Sequence, residues 1–331
     1  MQPSEDTATP PPRSSVSDPV FGARENTATY VLVTPARNEE RFIGATLDAV
    51  CRQTVLPLRL VIVDDGSTDR TADIASDYAG RVPWIEVLRM PPRTERSFAG
   101  KAEAFNAGFD RLRGLEFEFI GSLDADITFE PDYFEYLLKQ LRLSPRLGVV
   151  GTNMVEDGYN PVKESYFNEQ DVFGACQLFR RTCFEEVGGY TPVHGGGIDW
   201  IAIRTARMKG WQTRCFMDKV FYHHRPMGQT ESNVLRGRFE YGKKDYYLGN
   251  HPLWQVLRIG FQLTARPYVV GGLAITAGYL FGLAAGMKRP LSPELLRFHR
   301  QEQMARLRVL VARRLGRRAQ APTGPQARGN V

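Results

Sequence analysis

The chain has 331 residues, 42% hydrophobic and 24% charged, an ordinary globular balance that excludes collagen-like, wholly disordered and disulfide-scaffold classes. The net charge of +6 is lopsided: from Lys288 to Val331 eleven Lys and Arg oppose Glu294 and Glu302, so this tail carries +9 and the remainder −3. The basic character therefore describes what the tail touches, nucleic acid or an anionic membrane surface, and not the main domain.

Residues 1–26 are rich in Pro, Ser and Thr with no apolar run, which predicts a disordered tail and no signal peptide. Cys51, Cys176, Cys183 and Cys215 are far apart and form no CxxC pair, so they read as reduced thiols. Tyr30–Thr34, closed by Pro35, reads as a buried strand, and Phe42, Ile43, Leu47 and Val50 give Glu39–Arg52 a helical spacing. A second strand, Leu58–Val63, ends at Asp64-Asp65-Gly66; a helix over Thr71–Tyr78 and a strand at Trp84–Leu88 follow. Such alternation predicts an α/β fold with a mostly parallel sheet and helices on both faces. Ligands in such sheets sit outside the carboxyl ends of the strands, which directs attention to the polar residues found there.

Two acidic strand ends stand out. Asp64 and Asp65 follow one apolar strand, and Ser67 or Thr68 beyond them is a candidate cap for the next helix. The strand Phe117–Leu123 ends in Asp124-Ala125-Asp126, whose carboxylates are one residue apart and can face one site. Hard oxygen ligands of this kind suit Mg2+ or Mn2+ held jointly with substrate phosphates. No GxGxxG or GxxxxGK[ST] pattern is present, so dinucleotide redox and P-loop chemistry have no support.

In order along the chain stand Thr34-Pro35-Ala36-Arg37-Asn38-Glu39, Val61–Asp69, Gly100-Lys101 through Asn106-Ala107-Gly108, Asp124-Ala125-Asp126, Gly188-Gly189-Tyr190, Asp199 leading to Gly210-Trp211, and His223-His224-Arg225. Across residues 28–228 this order resembles glycosyltransferase family 2. The resemblance implies a GT-A fold and transfer of a sugar, with inversion, from a nucleotide sugar to an acceptor hydroxyl. It implies a donor pocket of Thr34, Pro35, Ala36, Asn38, Glu39, Asp64, Asp65, Lys101, Asn106, Asp124, Ala125 and Asp126. A divalent metal would meet Asp126 and Asp124 together with His223 or His224. Asp199 matches the family's catalytic base; the alternative is that it caps its helix. The family commonly has Glu-Asp where this chain has Ile198-Asp199, so the first acid is missing. No Gln-x-x-Arg-Trp follows the base, which points to single additions rather than processive synthesis. Arg225, Arg236 and Arg238 are candidates to clamp phosphate, or a solvated basic face.

Pro252–Ala265 has a broad apolar face, and Pro267–Met287 is 21 residues without a charge, with Gly278, Gly282 and Gly286 at four-residue spacing. A single crossing would part the catalytic domain from the Arg-rich tail, although both belong on the cytoplasmic side. The reading is therefore an interfacial or re-entrant hairpin against anionic lipid, at the cytoplasmic face of the cell membrane. A polyprenyl-linked glycan is the expected acceptor and nucleic acid is not an expected partner. The expected organisation is a catalytic domain over 27–250, with its nucleotide-sugar half at 27–127 and its acceptor half at 128–250. An apolar membrane-associated helical segment at 251–289 and a basic helix and tail at 290–331 follow. A nucleotidyltransferase acting on sugar phosphates and a non-catalytic binding scaffold are the rival functions.

Overall fold

The computed structural model describes residues 28–92, 98–156, 168–225, 234–264 and 267–314. The expected disordered segment at 1–26 and the last part of the basic tail lie outside the described residues. One eight-stranded sheet runs in the order β3-β2-β1-β4-β7-β6-β8-β5. Its strands are β1 (Tyr30–Ala36), β2 (Arg59–Asp64), β3 (Ile85–Arg89), β4 (Phe119–Leu123), β5 (Ile127–Phe129), β6 (Leu147–Val155), β7 (Cys176–Arg180) and β8 (Gln212–His223). The neighbours β3, β2, β1 and β4 are parallel, and β8 lies parallel to β6. Only β7 and β5 run against their neighbours.

Alternation along the central strands sorts the core into two layers. Tyr30 and Leu32 face one cluster with Ile43, Leu47 and Phe134, while Val31 and Val33 face another with Phe105, Phe184 and Ile201. The first layer holds helices α1 (Ile43–Cys51), α2 (Thr71–Arg81) and α4 (Tyr133–Leu143). The second holds α3 (Phe98–Asp110), α5 (Arg181–Val187) and α6 (Ile198–Met208). The four cysteines are free, three of them buried.

Two boundaries differ from the sequence reading for local reasons. Pro35 does not close β1 but pairs with Val63, while pairing with β4 ends at Val33. Beyond that point β1 is bonded on one side only, where a residue without N–H is tolerated. The first helix starts at Ile43 and not Glu39, and the Glu39 and Glu40 N–H groups donate to the Thr71 and Asp69 side chains.

Four helices complete the described residues: α7 (Val234–Tyr247), α8 (Pro252–Thr264), α9 (Val270–Ala284) and α10 (Pro293–Arg314). The uncharged run is thus cut to a 15-residue helix, about 22 Å at 1.5 Å per residue, against a hydrocarbon core of about 30 Å. Among the described residues no helix is long and apolar enough to cross a membrane. Gly278 and Gly282 do form a close-approach stripe, but its partner is α7 of the same chain. A Cβ on Gly278 would lie 1.9 Å from the Phe239 carbonyl oxygen, and one on Gly242 2.0 Å from that of Ile275. Gly286 stands apart from the stripe: at φ +58° it turns the chain out of α9. Leu291 and Leu295 of the basic α10 region are buried in the second core layer beside Ile198 and Ile201.

Candidate active site

The carboxyl ends of β1, β2 and β4 open onto one crevice, and the loops there bind one another before anything else. The Asp65 N–H donates to the Ala36 carbonyl at 2.9 Å, joining the ends of β1 and β2. Asn38 takes the left-handed conformation, φ 56°, which Asn tolerates better than most residues. Its N–H donates to Ser67 Oγ at 3.1 Å and its Oδ1 accepts from the Thr68 N–H at 2.8 Å. The Glu39 N–H donates to Thr71 Oγ1 at 2.7 Å, and that of Glu40 to Asp69 Oδ2 at 3.1 Å. So Ser67 and Thr68 do not cap α2. Its N-cap is Arg70, with no side-chain cap bond, and the hydroxyls staple the first loop to the second instead. Burial acts to raise Asp69, yet the hydrogen bonds from Thr71 and Glu40 outweigh it and leave the carboxyl below its ordinary value.

Asp64 and Asp65 are both buried, and Asp64 Oδ1 accepts the Ser67 N–H at 3.1 Å. Pro35 and Ala36 form the last part of β1 beside them. Thr34 lies two residues deeper, wholly buried, with its Oγ1 unbonded. Asn106 is turned elsewhere: its Nδ2 donates to the Tyr190 carbonyl at 2.9 Å, which fixes the Gly188-Gly189-Tyr190 turn.

At the end of β4 the Asp124 N–H donates to the Ala175 carbonyl at 2.9 Å, and Asp124 Oδ1 pairs with Lys101 Nζ at 2.5 Å. Ala125 is buried between the two acids. Burial raises the Asp124 carboxyl above its ordinary value, with Lys101 opposing and Asp126 adding to the rise. Burial alone would lower Lys101, but Asp124, Asp199 and Asp126 together outweigh it and hold the ammonium above its ordinary value. One cation thus feels three carboxylates, of which Asp124 and Asp126 are two residues apart and Asp199 lies 73 residues beyond Asp126.

Asp126 meets His223, whose Nε2 is 3.6 Å from Asp126 Oδ1 and whose Nδ1 is 3.1 Å from Glu156 Oε2. His224 points the other way, with Nε2 2.8 Å from Thr128 Oγ1 and its ring stacked on Phe42. Adjacent residues of an extended segment face opposite sides, so only His223 joins the acidic cluster. Arg225 pairs with Glu39, lies over the Phe42 ring and brings its Nε within 3.6 Å of Asp126 Oδ2. Arg236 and Arg238 belong to α7.

Asp199 is the second residue of α6. The N-cap is Gly197, in the left-handed conformation at φ +90°, and there is no side-chain cap bond. Capping therefore does not account for Asp199. Its carboxylate lies against the Gly174 backbone, where a Cβ would come within 2.3 Å of Oδ2. Ile198, which stands where the family's first acid would be, is buried in the second core layer, so that position faces packing and not the crevice.

Two contributors have no sequence signal. Glu156 reaches His223 through the pairing of β6 with β8, and Gly174 matters only because of what packs on it.

Among the described residues no three His, Cys, Asp or Glu side chains hold a metal ion by themselves. Asp126 Oδ1 is nevertheless buried without a hydrogen bond, and Asp124 and His223 stand on either side of it in the same cluster. A buried carboxylate oxygen without a hydrogen bond is a hard donor of the kind that suits a divalent cation shared with phosphate oxygens.

Residues 31–165 match the family described as Glycosyl transferase family 2. The chain is 31% identical over 135 residues to the chondroitin synthase of Pasteurella multocida (strain Pm70), a match covering 38% of this chain and 13% of that protein. It is 29% identical over 174 residues to the 4,4'-diaponeurosporenoate glycosyltransferase of Staphylococcus aureus (strain USA300), covering 52% and 43% respectively. The matches thus span less than half the length of these curated relatives. Staphylococcus aureus TarS 1–349 in complex with UDP-GlcNAc is similar over 88% of this chain and 93% of that one (TM-score 0.53, 14% identity). A mannosyltransferase, PcManGT from Pyrobaculum calidifontis, in complex with GDP-Man and Mn2+, is similar over 88% and 81% (TM-score 0.51, 20% identity). These likenesses are of fold, and the fold is the GT-A arrangement expected from the sequence.

Proposed function

From residues 31–165, which match the family described as Glycosyl transferase family 2, we propose that this protein moves a sugar from a nucleotide-sugar donor to an acceptor hydroxyl, with inversion at the anomeric carbon. The observation that carries the reading is the pairing of Lys101 with Asp124 at 2.5 Å, where the ammonium also feels the charges of Asp199 and Asp126. A nucleotidyltransferase would have no use for Asp199 on the acceptor side.

In this reading Asp199 takes the proton of the acceptor hydroxyl as that oxygen bonds to the anomeric carbon. The bond from the same carbon to the donor diphosphate breaks, and its electron pair leaves with the nucleoside diphosphate. Lys101 and Arg225 supply fixed positive charge where negative charge grows on the leaving group. A divalent cation, Mg2+ or Mn2+, held by Asp126 with Asp124 and His223 would add to that stabilisation. The Asn38–Thr71 staple keeps the pocket wall, including Asp64 and Asp65, in place. Gly197 and Gly174 let Asp199 approach without a cap bond or a side chain in its way.

The surface of the carboxyl-terminal helices supports a reading of acceptor and location. Leu253 and Val256 on α8, Tyr268 and Val269 at the turn, and Leu273 and Phe281 on α9 are all more than half exposed. Exposed apolar groups of this number suit a lipid surface, with exposed basic residues such as Arg297 and Arg308 against anionic headgroups. A lipid-linked glycan at the cytoplasmic face of the membrane is the acceptor consistent with this.

The test is nucleotide release from UDP-, GDP- and dTDP-sugars with Mg2+ or Mn2+, a lipid extract serving as acceptor. One donor should be turned over in a metal-dependent way, and Asp199→Asn should lower turnover by about 10²–10⁴ while keeping nucleotide binding. Equal turnover by the variant removes Asp199 as base. In a separate flotation assay the protein should rise with anionic vesicles and not with neutral ones at the same ionic strength; failure to rise with either removes the membrane reading.

A further inference from the structure

His223 ends β8, and β8 lies between β6 and β5 in the sheet. Its side chain therefore has a strand neighbour on each flank, and each neighbour brings a carboxylate. On the β5 flank Ile127 is opposite His223, which sets Asp126 beside the ring, with His223 Nε2 3.6 Å from Asp126 Oδ1. On the β6 flank Glu156 follows Val155, whose partner is Tyr222, and its Oε2 lies 3.1 Å from His223 Nδ1. That second meeting depends on an irregularity in the pairing. Thr152 is opposite Phe216 but Asn153 is opposite Val220, so β8 passes Met217, Asp218 and Lys219 within one step of β6. With an unbroken register Glu156 would come level with Val220 and not with His223.

The two contacts differ in kind. A carboxylate accepts hydrogen bonds, so the ring nitrogen 3.1 Å from Glu156 carries a proton. The Glu156 and His223 side chains are only 3% and 8% exposed, so this bond is made away from solvent. The approach of Nε2 to Asp126 is too long for a hydrogen bond, and Asp126 Oδ1 has no hydrogen-bond partner among the described residues. With its proton on Nδ1, the neutral imidazole turns a lone pair at Nε2 towards that oxygen. Two acceptors that face each other with no proton between them are the arrangement a cation reconciles. The neighbouring histidine shows the contrast. His224 Nε2 lies 2.8 Å from Thr128 Oγ1, a hydroxyl that donates or accepts and so leaves the tautomer open.

We infer that Glu156 is a positioning residue: by accepting the Nδ1 proton of His223 it fixes the tautomer in which Nε2 offers its lone pair to a divalent cation beside Asp126. Histidine ligands commonly donate their second ring N–H to a carboxylate, which holds the ring and raises the basicity of the coordinating nitrogen. Glu156 acts through His223 and touches neither cation nor substrate. The inference rests on the reading that Asp126 and His223 hold Mg2+ or Mn2+, and its test separates the two.

The experiment is calorimetric titration of the full chain with UDP and with GDP, without metal and at increasing Mn2+, for the wild type, Glu156→Gln and Thr128→Val. Mn2+ should tighten one nucleotide on the wild type. Glu156→Gln keeps the shape of the side chain and loses its charge, and should need at least about tenfold more Mn2+ for half of that gain. Thr128→Val should match the wild type, and nucleotide affinity without metal should be the same in all three. A general loosening of the sheet would move that last readout. Nitrogen NMR of the metal-free wild type with isotope-labelled histidine, the signal identified by its loss in His223→Gln, should show the proton on Nδ1 and a bare Nε2. An unchanged Mn2+ requirement in Glu156→Gln, an equal rise in Thr128→Val, or a proton on Nε2 with Nδ1 bare overturns the inference and leaves the metal reading standing. No effect of Mn2+ on either nucleotide in the wild type removes the metal reading and the inference with it. Should Glu156→Gln fail to fold, the wild-type NMR spectrum decides alone.

Discussion

The seating of α9 on α7 predicts opposite outcomes for one substitution made in two neighbouring helices. At Gly278 a Cβ would stand 1.9 Å from the Phe239 carbonyl oxygen and 3.0 Å from the Lys243 nitrogen, both backbone atoms. Carbon and carbonyl oxygen in contact sit about 3.3–3.6 Å apart, so Gly278→Ala must drive the helices apart by more than about 1 Å. That movement would also loosen Gly282 from Tyr246 and separate the Phe239–Phe281 ring pair, now 5.7 Å apart. Overpacking typically costs about 1–3 kcal/mol. With backbone on the opposing side the upper end applies, and the gain of about 1 kcal/mol from replacing a helical Gly by Ala leaves a net loss of about 2 kcal/mol. Gly260 in α8 is exposed with nothing within 4 Å, so Gly260→Ala keeps only the gain of about 1 kcal/mol. Thermal unfolding should therefore move down by about 4–8 °C for Gly278→Ala and up by about 2–4 °C for Gly260→Ala, at roughly 2–4 °C per kcal/mol for large domains. If Gly278→Ala rises with Gly260→Ala, α9 is not seated on α7 and the packing argument fails.

Gly174→Ala should displace the Asp199 carboxylate and lower kcat with little change in donor KM; unchanged kcat in steady-state assays would remove Gly174 as a positioning residue. Asn38→Gly keeps the left-handed backbone but loses the bond to Thr68, whereas Asn38→Ala loses both. Denaturation midpoints should then rank wild type above Gly above Ala, with Ala about 1–2 kcal/mol below wild type. His299 has a native value of about 3 against 6.5 unfolded, so the unfolded chain alone takes up this proton between those values. Its contribution to stability is complete above pH 6.5 and is lost as pH falls towards 3, reaching about 2 kcal/mol lost by pH 5 at 1.36 kcal/mol per unit. Denaturation from pH 7 to 5 should show this slope, and His299→Gln should flatten it. Asp126→Asn should raise the concentration of Mg2+ or Mn2+ needed for half-maximal activity at least tenfold, and an unchanged metal requirement would clear Asp126 of that role.

Local chemistry carried much of this protein in its sequence. The apolar runs at Tyr30–Thr34 and Leu58–Val63 form adjacent parallel strands because such runs bury both faces only between helices. Asp64, Asp124 and Asp126 follow strand ends, so their opening onto one crevice follows from the fold class. Tertiary structure decided what depends on contacts between distant residues. Which of His223 and His224 meets Asp126 rests on strand pairing with Ile127, and the role of Glu156 on the pairing of β6 with β8. Whether Asp199 caps α6 rests on the backbone of Gly197, and the bond from Asn106 Nδ2 to the Tyr190 carbonyl joins residues 84 apart. The uncharged run at 267–287 had a composition equally suited to lipid and to protein. Only the carbonyls of Phe239 and Ile275, pressed against glycine, show that one face of it belongs to α7. Composition and periodicity report which surfaces a segment must bury, and the partner that buries them is a property of the folded chain.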